Sequence, residues 1–139
     1  MAAGLHLTVL TPERAVLEMD VYSLVAPGAA GYLGVLKNHA PLITTLVPGK
    51  LTVKDPSGTP AVYAVGGGFM EISNNQVTIL ADTMESAEEI DMEQAIEARD
   101  WALRRLKQEI PPTDKEEAAA ALARNLNRIR VKRDPSPSV

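Results

Sequence analysis

Two adjacent prolines, Pro111 and Pro112, divide the last third of this chain into two helical segments. Proline lacks the backbone N–H and its ring clashes with the preceding turn, so no helix continues through the pair. On each side of the prolines, apolar residues recur at the spacing of one helix face. The first stripe is Met92, Ile96, Leu103, Leu106 and Ile110, with Arg99 in its gap, and the second is Leu122, Leu126 and Ile129.

Capping residues indicate where the two helices begin. Asp91 is placed to accept a hydrogen bond from a backbone N–H two or three residues on, while Gln94 is placed to reach back. Thr113, with Glu116 three residues later, has the pattern of a capping box. We therefore predict one helix over residues 90–110 and another from Thr113 to the end of the basic run.

These two helices have two ways of burying their apolar stripes. Neither is apolar enough to be stable in water without packing. The double proline permits an antiparallel hairpin, in which the stripes pack against each other. It equally permits an extended arrangement, in which both stripes need a partner. From this choice between two packings we infer a switchable element.

Residues 5–82 have the pattern of short β-strands separated by turns. Apolar runs alternate with turn signals such as Pro27-Gly28 and Asn74-Asn75. This rhythm predicts a sandwich or barrel of eight or more strands. Gly66-Gly67-Gly68 lies between two strands, so we interpret it as a bulge or corner where the sheet folds over, rather than as a dinucleotide-binding loop. The polar residues 83–89 are the predicted linker to the helices.

The chain has a net charge of −4, but its basic residues are unevenly placed. Residues 1–88 carry four basic and eight acidic side chains, whereas residues 89–139 carry ten of each. One run near the end holds five cations and no acid: Arg124, Arg128, Arg130, Lys132 and Arg133. Such a run fits an acidic docking surface or a phosphate. It equally fits a solvated helix face, with cations near the helix C-terminus where the dipole favours them.

The sequence lacks the residues that most catalytic and metal sites need. It has no cysteine, which excludes disulfides and thiolate ligands, and its two histidines, His6 and His39, are far apart. Because no metalloprotease, serine-hydrolase or Walker motif is present, we expect neither catalysis nor a metal site. The acidic net charge and the lack of aromatic residues in the basic run speak against nucleic-acid binding. No apolar run approaches the ~20 residues of a membrane span, and we see no signal peptide.

The segment around His39 has two interpretations. Gly31 and Gly34 precede it and favour tight backbone turns, while Pro41 restricts Ala40 to an extended conformation. In the first interpretation the imidazole holds the loop together by hydrogen bonding its backbone. In the second it binds a partner directly. We favour the first.

Four motifs, in this order, make the chain resemble the epsilon subunit of F-type ATP synthase. They are TPERxV from Thr11, GxLGVLxNHAPLIT from Gly31, GGGFMEI from Gly66 followed by NNxVTILADT, and EIDxxxA from Glu89. The resemblance runs from Leu5 to Arg133 and implies a flattened ten-stranded β-sandwich followed by a two-helix antiparallel hairpin. We place the sandwich at residues 1–86, the hairpin at residues 87–133 and a disordered tail at residues 134–139.

The resemblance implies a rotor subunit without chemistry of its own. Members of this family sit on the central stalk, against the gamma subunit and the membrane ring of c subunits. Their hairpin either folds on the sandwich or extends into the catalytic head of alpha and beta subunits, where it blocks ATP hydrolysis. By this resemblance, the candidates for contact with an acidic segment of beta are Arg124, Arg128, Arg130, Lys132 and Arg133. The candidates for contact with the rotor ring are Lys37, Asn38 and His39.

The resemblance also implies a location. The protein is expected to be peripheral on the cytoplasmic face of a bacterial plasma membrane, or on the equivalent face of an organelle membrane such as the thylakoid.

Nucleotide sensing is the alternative function that the resemblance implies. Some bacterial members bind ATP on the folded hairpin, through an I/L-D-x-x-R-A motif and basic residues on both helices. The candidate ATP-binding residues here are Glu85, Ile90, Asp91, Ala95, Arg124 and Arg128. Gln94 replaces the motif arginine and Trp101 occupies a further basic position, which removes two charge-assisted bonds to phosphate. For Trp101 we favour packing on the sandwich over stacking on a base. Apart from this regulatory ATP, no cofactor is expected.

Overall fold

The computed structural model describes residues 4–138, and within them eight strands precede two helices. The strands are β1 (Leu5–Leu10), β2 (Ala15–Val21), β3 (Ser23–Gly28), β4 (Gly31–Val35), β5 (Leu42–Lys54), β6 (Pro60–Ser73), β7 (Gln76–Ala81) and β8 (Met84–Ser86). The helices are α1 (Met92–Leu106) and α2 (Pro112–Arg133).

The strands form one continuous sheet that folds over into two layers. Its order is β2-β1-β7-β6-β5-β3-β4, and β8 pairs with β6. The two long strands pass through both layers. Residues 68–73 of β6 pair with β7, whereas residues 63–65 pair with β8, and β5 follows β6 along its whole length. The described residues therefore form eight strands rather than the expected ten, because β5 and β6 are each one unbroken strand.

Three successive glycines make the corner of this sheet, as predicted, although they lie within β6 rather than between two strands. Gly67 and Gly68 have φ angles of 104° and 138°, a region that side-chain-bearing residues rarely adopt. A Cβ atom on Gly68 would lie 2.0 Å from the carbonyl oxygen of Leu80. The corner therefore requires glycine both for its backbone angles and for the close approach of β7.

One apolar core fills the space between the layers. Alternate residues of each strand point into it, as the period-2 pattern of a half-buried strand requires. Its buried members include Leu5, Leu7 and Val9 of β1, Leu24 of β3, Val35 of β4, Leu51 and Val53 of β5, Met70 and Ile72 of β6, and Val77 and Ile79 of β7. The predicted combination of a β-sandwich with a helical hairpin is thus confirmed.

The first helix begins as predicted and ends earlier than predicted. The carboxylate of Asp91 accepts a hydrogen bond from the backbone N–H of Gln94 at 3.1 Å, so Asp91 is the N-cap. Gln94 does not reach back to complete the box, because its side chain bonds to Arg128 instead. The helix stops at Leu106, not Ile110, because the N–H groups of Lys107 and Gln108 bond three residues back, to the carbonyls of Arg104 and Arg105, and so close the last turn.

The second helix begins at Pro112, one residue before the predicted cap. Pro112 occupies the first turn, where its missing N–H would have no partner in any case, and its fixed φ suits a helix. No side chain caps this end, so the predicted box of Thr113 and Glu116 is wrong. Proline at the first position has replaced the side-chain cap.

The helices pair as an antiparallel hairpin through small residues. Arg105 of α1 forms an ion pair with Asp114 at the start of α2, while Arg128 near the end of α2 donates to the Gln94 side chain. The buried residues at the helix–helix contact are Ala95, Ala102 and Ala118. Leu103 and Leu126, which we placed on the apolar stripes, are 41% and 40% exposed. The hairpin therefore packs alanines at close range and leaves part of each predicted stripe in solvent.

The second helix lies between the sheet and the first helix. It packs on β5 and β6, and α1 packs on α2. A small apolar cluster joins the two parts of the molecule, and its buried members are Ala64, Ala87, Ile90 and Val131. Because α1 is the outer helix, Trp101 does not pack on the sandwich as predicted. Its ring is 52% exposed and lies under the guanidinium of Arg105, at 5.8 Å from the ring centre.

The predicted polar linker is partly a strand, since Met84–Ser86 forms β8 on the edge of β6. Beyond it, the N–H of Ser86 donates to the carboxylate of Glu89 at 3.0 Å, and the N–H of Glu89 donates to the hydroxyl of Ser86 at 3.2 Å. The bond from the Ser86 backbone lowers the pKa of the Glu89 carboxyl. The connection is thus a defined turn. The polar composition did not reveal it, because the apolar residues that bury Met84 and Ala87 are distant from them in sequence.

No helix in the described part of the chain is both long and apolar enough to cross a membrane.

Candidate functional site

The face of α2 that lies on the sheet is held by polar contacts as well as apolar ones. Asn127 is 3% exposed, and its amide group donates to the carbonyl oxygens of Gly49 at 2.9 Å and Val65 at 3.3 Å. Gly49 and Val65 are partners in the β5–β6 ladder. A single buried amide therefore bridges two strands and fixes where α2 sits.

The glycine corner also receives α2. A Cβ atom on Gly66 would lie 2.0 Å from the hydroxyl of Thr83 and 2.9 Å from Cδ of Arg124. The aliphatic stem of Arg124 therefore packs directly on the backbone of the corner. Any larger residue at Gly66 would push Arg124 and Thr83 away.

A cleft of about 310 Å³ opens where α1, α2 and the sheet meet. It is lined by Thr83, Met84, Glu85, Gln94, Arg124, Asn125 and Arg128. The guanidinium of Arg128 donates to the Glu85 carboxylate, to the side-chain oxygen of Gln94, and to that of Asn125 at 3.0 Å. Arg128 thus links all three walls of the cleft.

The two arginines of the cleft differ in their partners. The Arg128–Glu85 pair has side chains only 19% and 29% exposed, so its charges are shielded from water and attract more strongly than a surface pair. Arg124 has no ion-pair partner within residues 4–138. Arg124 is therefore the cation that remains able to meet an anion in the cleft.

The structure brings together some of the predicted ATP-binding residues and separates others. Glu85, Arg124 and Arg128 line the cleft. Ile90 is buried in the apolar cluster under the hairpin, Ala95 is buried in α1, and the Asp91 carboxylate caps that helix. The last three residues do not line the cleft in this arrangement of the hairpin.

Sequence reasoning missed the two asparagines of the site. Asn125 donates to the carbonyl of Ala121 at 2.8 Å and accepts from Arg128, while Asn127 bridges the strands. Asparagine is a poor helix former, so two of them inside a 22-residue helix are a local inconsistency. That inconsistency could have identified the two residues, because an asparagine inside a helix usually makes a specific side-chain hydrogen bond.

The five cations of the basic run in α2 differ in how many bonds they make. Arg130 and Arg133 are exposed. Lys132 is partly buried and donates to the carbonyls of Ala87 at 3.3 Å and Glu88 at 3.2 Å. With Arg128 bonded to Glu85, two of the five cations are held by the turn and strand that precede α1.

The loop that holds the candidate rotor-ring residues is pinned to a neighbouring turn. Asn38 has a φ of 68°, its N–H donates to the side chain of Asn75 at 2.6 Å, and the Asn75 amide donates back at 3.3 Å. His39 bonds the carbonyl of Ala40 at 2.7 Å through Nδ1, as the favoured interpretation predicted. Lys37 is exposed at the tip. The turn geometry thus presents a rigid polar tip.

An apolar strip lies on the outer face of the layer formed by β1, β7, β6 and β5. Leu10 is opposite Leu80, which is opposite Phe69. Leu80 and Phe69 are more than half exposed, and nearby Ile43 is 73% exposed. Exposed apolar side chains grouped on one face are typical of surfaces that bind a partner.

Among residues 4–138, no group of three or more histidine, aspartate or glutamate side chains is arranged to hold a metal ion.

Comparison with known proteins places both parts of the chain in one family. Residues 4–87 match the family model described as ATP synthase, Delta/Epsilon chain, beta-sandwich domain, and residues 88–133 match the long alpha-helix domain of the same chain. The chain is 48% identical to the ATP synthase epsilon chain of Moorella thermoacetica over 128 residues, covering 92% of this chain and 96% of that one. It is 42% identical to the epsilon chain of Desulforamulus reducens over 130 residues, covering 94% and 98%.

Solved structures with the same fold come from two mitochondrial assemblies. A chain of the Euglena gracilis mitochondrial ATP synthase superposes with a TM-score of 0.78 at 24% identity, over 90% of this chain and 79% of that chain. A chain of the Tetrahymena thermophila central stalk and c-ring superposes with a TM-score of 0.67 at 14% identity, over 92% and 96%. These identities are low, so the two likenesses concern the fold alone.

Proposed function

Because this chain belongs to the family of ATP synthase epsilon chains, we propose that it is a non-catalytic subunit of the central stalk whose helical hairpin is a detachable, inhibitory arm. The observation that carries the proposal is the way the hairpin is held. The sandwich has its own complete core, and the hairpin rests on it through one small cluster and a few polar bonds. A hairpin held in this way detaches from the sandwich while the sandwich stays folded.

The sizes of the two cores support detachment of the hairpin from a sandwich that stays folded. The sandwich core contains seventeen buried apolar residues, whereas the cluster beneath the hairpin contains four, two of which are alanines. Apolar burial stabilises by about 25 cal/mol per Å², so the contact under the hairpin is by far the weaker. Local opening takes place where few apolar contacts are buried.

Release of the hairpin would change the charge that α2 presents. In the docked position, Arg128 is paired with Glu85 and Lys132 is bonded to the carbonyls of the turn before α1. Undocking frees both, and they join Arg124, Arg130 and Arg133 on one helix. Five cations without an acid suit an acidic segment of the beta subunits in the catalytic head. Contact there would block ATP hydrolysis.

The sandwich supplies the surfaces for the other partners. The exposed strip of Leu10, Ile43, Phe69 and Leu80 suits an apolar surface of the gamma subunit, because burying it removes large side chains from water. The rigid polar tip of Lys37, Asn38 and His39 suits the loops of the c ring. The protein would then be peripheral on the cytoplasmic face of a bacterial plasma membrane, or on the equivalent face of an organelle membrane.

Hydrolysis of ATP by the soluble catalytic complex tests the inhibitory arm. The complex is assembled with the full chain and with a chain ending at Glu89. We expect the shorter chain to assemble equally well and to raise the hydrolysis rate. Equal rates with equal assembly would reduce the role of this chain to structural coupling through the sandwich.

Charge reversal tests whether the basic residues, rather than the helices as a whole, inhibit hydrolysis. Arg130→Glu with Arg133→Glu alters two exposed cations near the end of α2, and is expected to relieve inhibition. The matched control is Arg104→Glu with Lys107→Glu, two exposed cations at the other end of the hairpin. Relief by both pairs would mean that net charge, rather than the end of α2, decides inhibition.

Nucleotide sensing is the second candidate function, and the cleft between Glu85, Gln94, Arg124 and Arg128 favours it. Its weakness is that Arg128 already has three acceptors, so a phosphate would have to displace Glu85. We expect no ATP binding below millimolar concentration in a calorimetric titration of the isolated chain. Gln94→Arg restores a cation to the cleft and is expected to tighten binding. Submillimolar binding by the unaltered chain would instead favour the sensing role.

A further inference from the structure

The residues that follow α2 turn back along the sheet. Asp134 ends the helix with φ −133° and ψ 84°, and its carboxylate accepts the N–H of Ser136 at 3.2 Å. Hydrogen bonding from the side chain of Ser136, then from its backbone N–H, and the nearby charge of Lys50 lower the pKa of the Asp134 carboxyl. The segment of residues 134–138, here called the tail, therefore leaves the helix in a defined direction.

Two hydrogen bonds join the tail to β5. Nζ of Lys50 donates to the carbonyl oxygen of Ser136 at 2.7 Å, and the N–H of Ser138 donates to the hydroxyl of Thr52 at 2.9 Å. Lys50 and Thr52 are two residues apart, so they share the outer face of the strand. Thr52 is only 1% exposed, although its side chain points away from the sandwich core.

The composition of the tail makes these bonds easier to form. Pro135 and Pro137 fix φ near the extended range, which leaves the free tail fewer conformations to lose when it docks. An ordinary residue loses about 1–2 kcal/mol of backbone entropy on ordering. The two prolines thus lower the entropy cost of docking the tail, so few hydrogen bonds are needed to hold it on β5.

The tail and the end of α2 hold neighbouring residues of one strand. Asn127 bonds to the carbonyl of Gly49, next to Lys50, and a cavity of about 180 Å³ separates that bond from Ser138. Because the tail continues α2 directly, its contacts with β5 are made only while α2 is docked. Every bond that the tail makes to β5 therefore favours the docked position.

We propose that residues Asp134–Ser138 form a strap that fastens the hairpin to the outer face of β5. The inference rests on the two positions of the hairpin proposed above. The strap holds the basic end of α2 against the sandwich, so its loss favours release of that end. The strap thereby sets how often the inhibitory arm is free.

Hydrogen exchange measured by NMR tests the strap in the isolated full-length protein. Lys50→Met removes one bond of the strap and leaves α2 and its terminus unchanged. Because an undocked helix is marginal in water, amides in the middle of α2, at residues 118–125, then exchange faster. We expect a rise of about threefold to tenfold, the range for loss of one hydrogen bond. A chain ending at Arg133 is expected to show at least the same rise.

The control is Lys54→Met, which removes a lysine from the same face of β5 without touching the tail. It is expected to leave the α2 amides unchanged, and all three variants should leave β1 and β7 amides protected. Unchanged exchange at residues 118–125 in both Lys50→Met and the chain ending at Arg133 would overturn the strap. If the strap variants exchange faster while the chain ending at Glu89 does not alter hydrolysis, the strap stands and the inhibitory role fails.

Discussion

The imidazole of His6 lies between two carboxylates of the neighbouring strand. Nδ1 faces Asp20 and Nε2 faces Glu18, each at 3.0 Å. Both ring nitrogens can donate only in the protonated ring, so these hydrogen bonds, the one to Asp20 first, raise the pKa of His6. The three groups lie on the paired strands β1 and β2, which the linear sequence does not bring together.

This cluster makes a small part of the stability depend on pH. The pKa of His6 is higher in the folded than in the unfolded chain, so the contribution is complete below the unfolded value of about 6.5 and disappears as pH rises through the folded value. We expect NMR titration to give His6 a pKa above the ordinary value of a histidine. Asp20→Asn should move the pKa of His6 downwards, and the absence of such a shift would contradict the pairing.

Single residues differ in how far the sequence alone could interpret them. Asp91 was identifiable as a cap, since a carboxylate before an apolar helical pattern acts through bonds only a few residues away. Asn127 was not, because its partners, Gly49 and Val65, are more than sixty residues distant. Local bonds follow from local sequence, whereas long-range bonds require the fold.

At the level of elements, the glycine corner has two roles. Gly67 and Gly68 allow the sheet to turn, and Gly66 provides the flat surface on which the stem of Arg124 packs. The sequence predicted the first role from the position of the glycines between strands. The second was not predictable, because it depends on where α2 comes to rest.

Gly66→Ala is therefore expected to weaken docking of the hairpin. The added Cβ would lie 2.0 Å from the Thr83 hydroxyl and 2.9 Å from Cδ of Arg124, so both must move. We expect faster hydrogen exchange in α2 while β1 remains protected. Gly34→Ala is the matched control, since a Cβ at Gly34 meets nothing within 4 Å. Equal exchange in the two variants would mean that Arg124 does not anchor α2.

The hairpin also shows why apolar stripes are an imperfect guide to a helix interface. The pattern selected large residues such as Leu103 and Leu126, which the fold leaves substantially exposed. The buried positions are the alanines at 95, 102 and 118, which let the two helices approach closely. Alanine contributes little to a hydrophobic pattern, so its place at the interface depends on packing against the partner helix.

At the level of the whole molecule, stability is divided unequally between sandwich and hairpin. The core between the sheet layers closes without help from the helices, whereas the helices depend on each other and on the small cluster around Ile90 and Val131. The molecule is thus a stable body with a weakly held arm, the arrangement expected of an element that has two positions.

This division predicts that a chain ending at Glu89 folds without the hairpin. We expect cooperative urea unfolding and β-sheet circular dichroism, with stability lowered by about 1–3 kcal/mol because Ala64 and Ala87 lose their apolar contacts with Ile90 and Val131. Loss of cooperative unfolding would show that the hairpin is part of the core. Leu126→Ala in the full chain, at an exposed position of α2, should leave stability nearly unchanged.

Patterns within short stretches of the sequence were enough to predict the strand–turn rhythm, the glycine corner, the cap at Asp91 and the break at Pro111 and Pro112. Each of these depends on backbone geometry or on bonds between near neighbours. Tertiary structure decided the rest. It placed α2 between the sheet and α1, paired Arg128 with Glu85 and left Trp101 exposed. These outcomes depend on which distant surfaces meet, and a linear pattern carries no information about that choice.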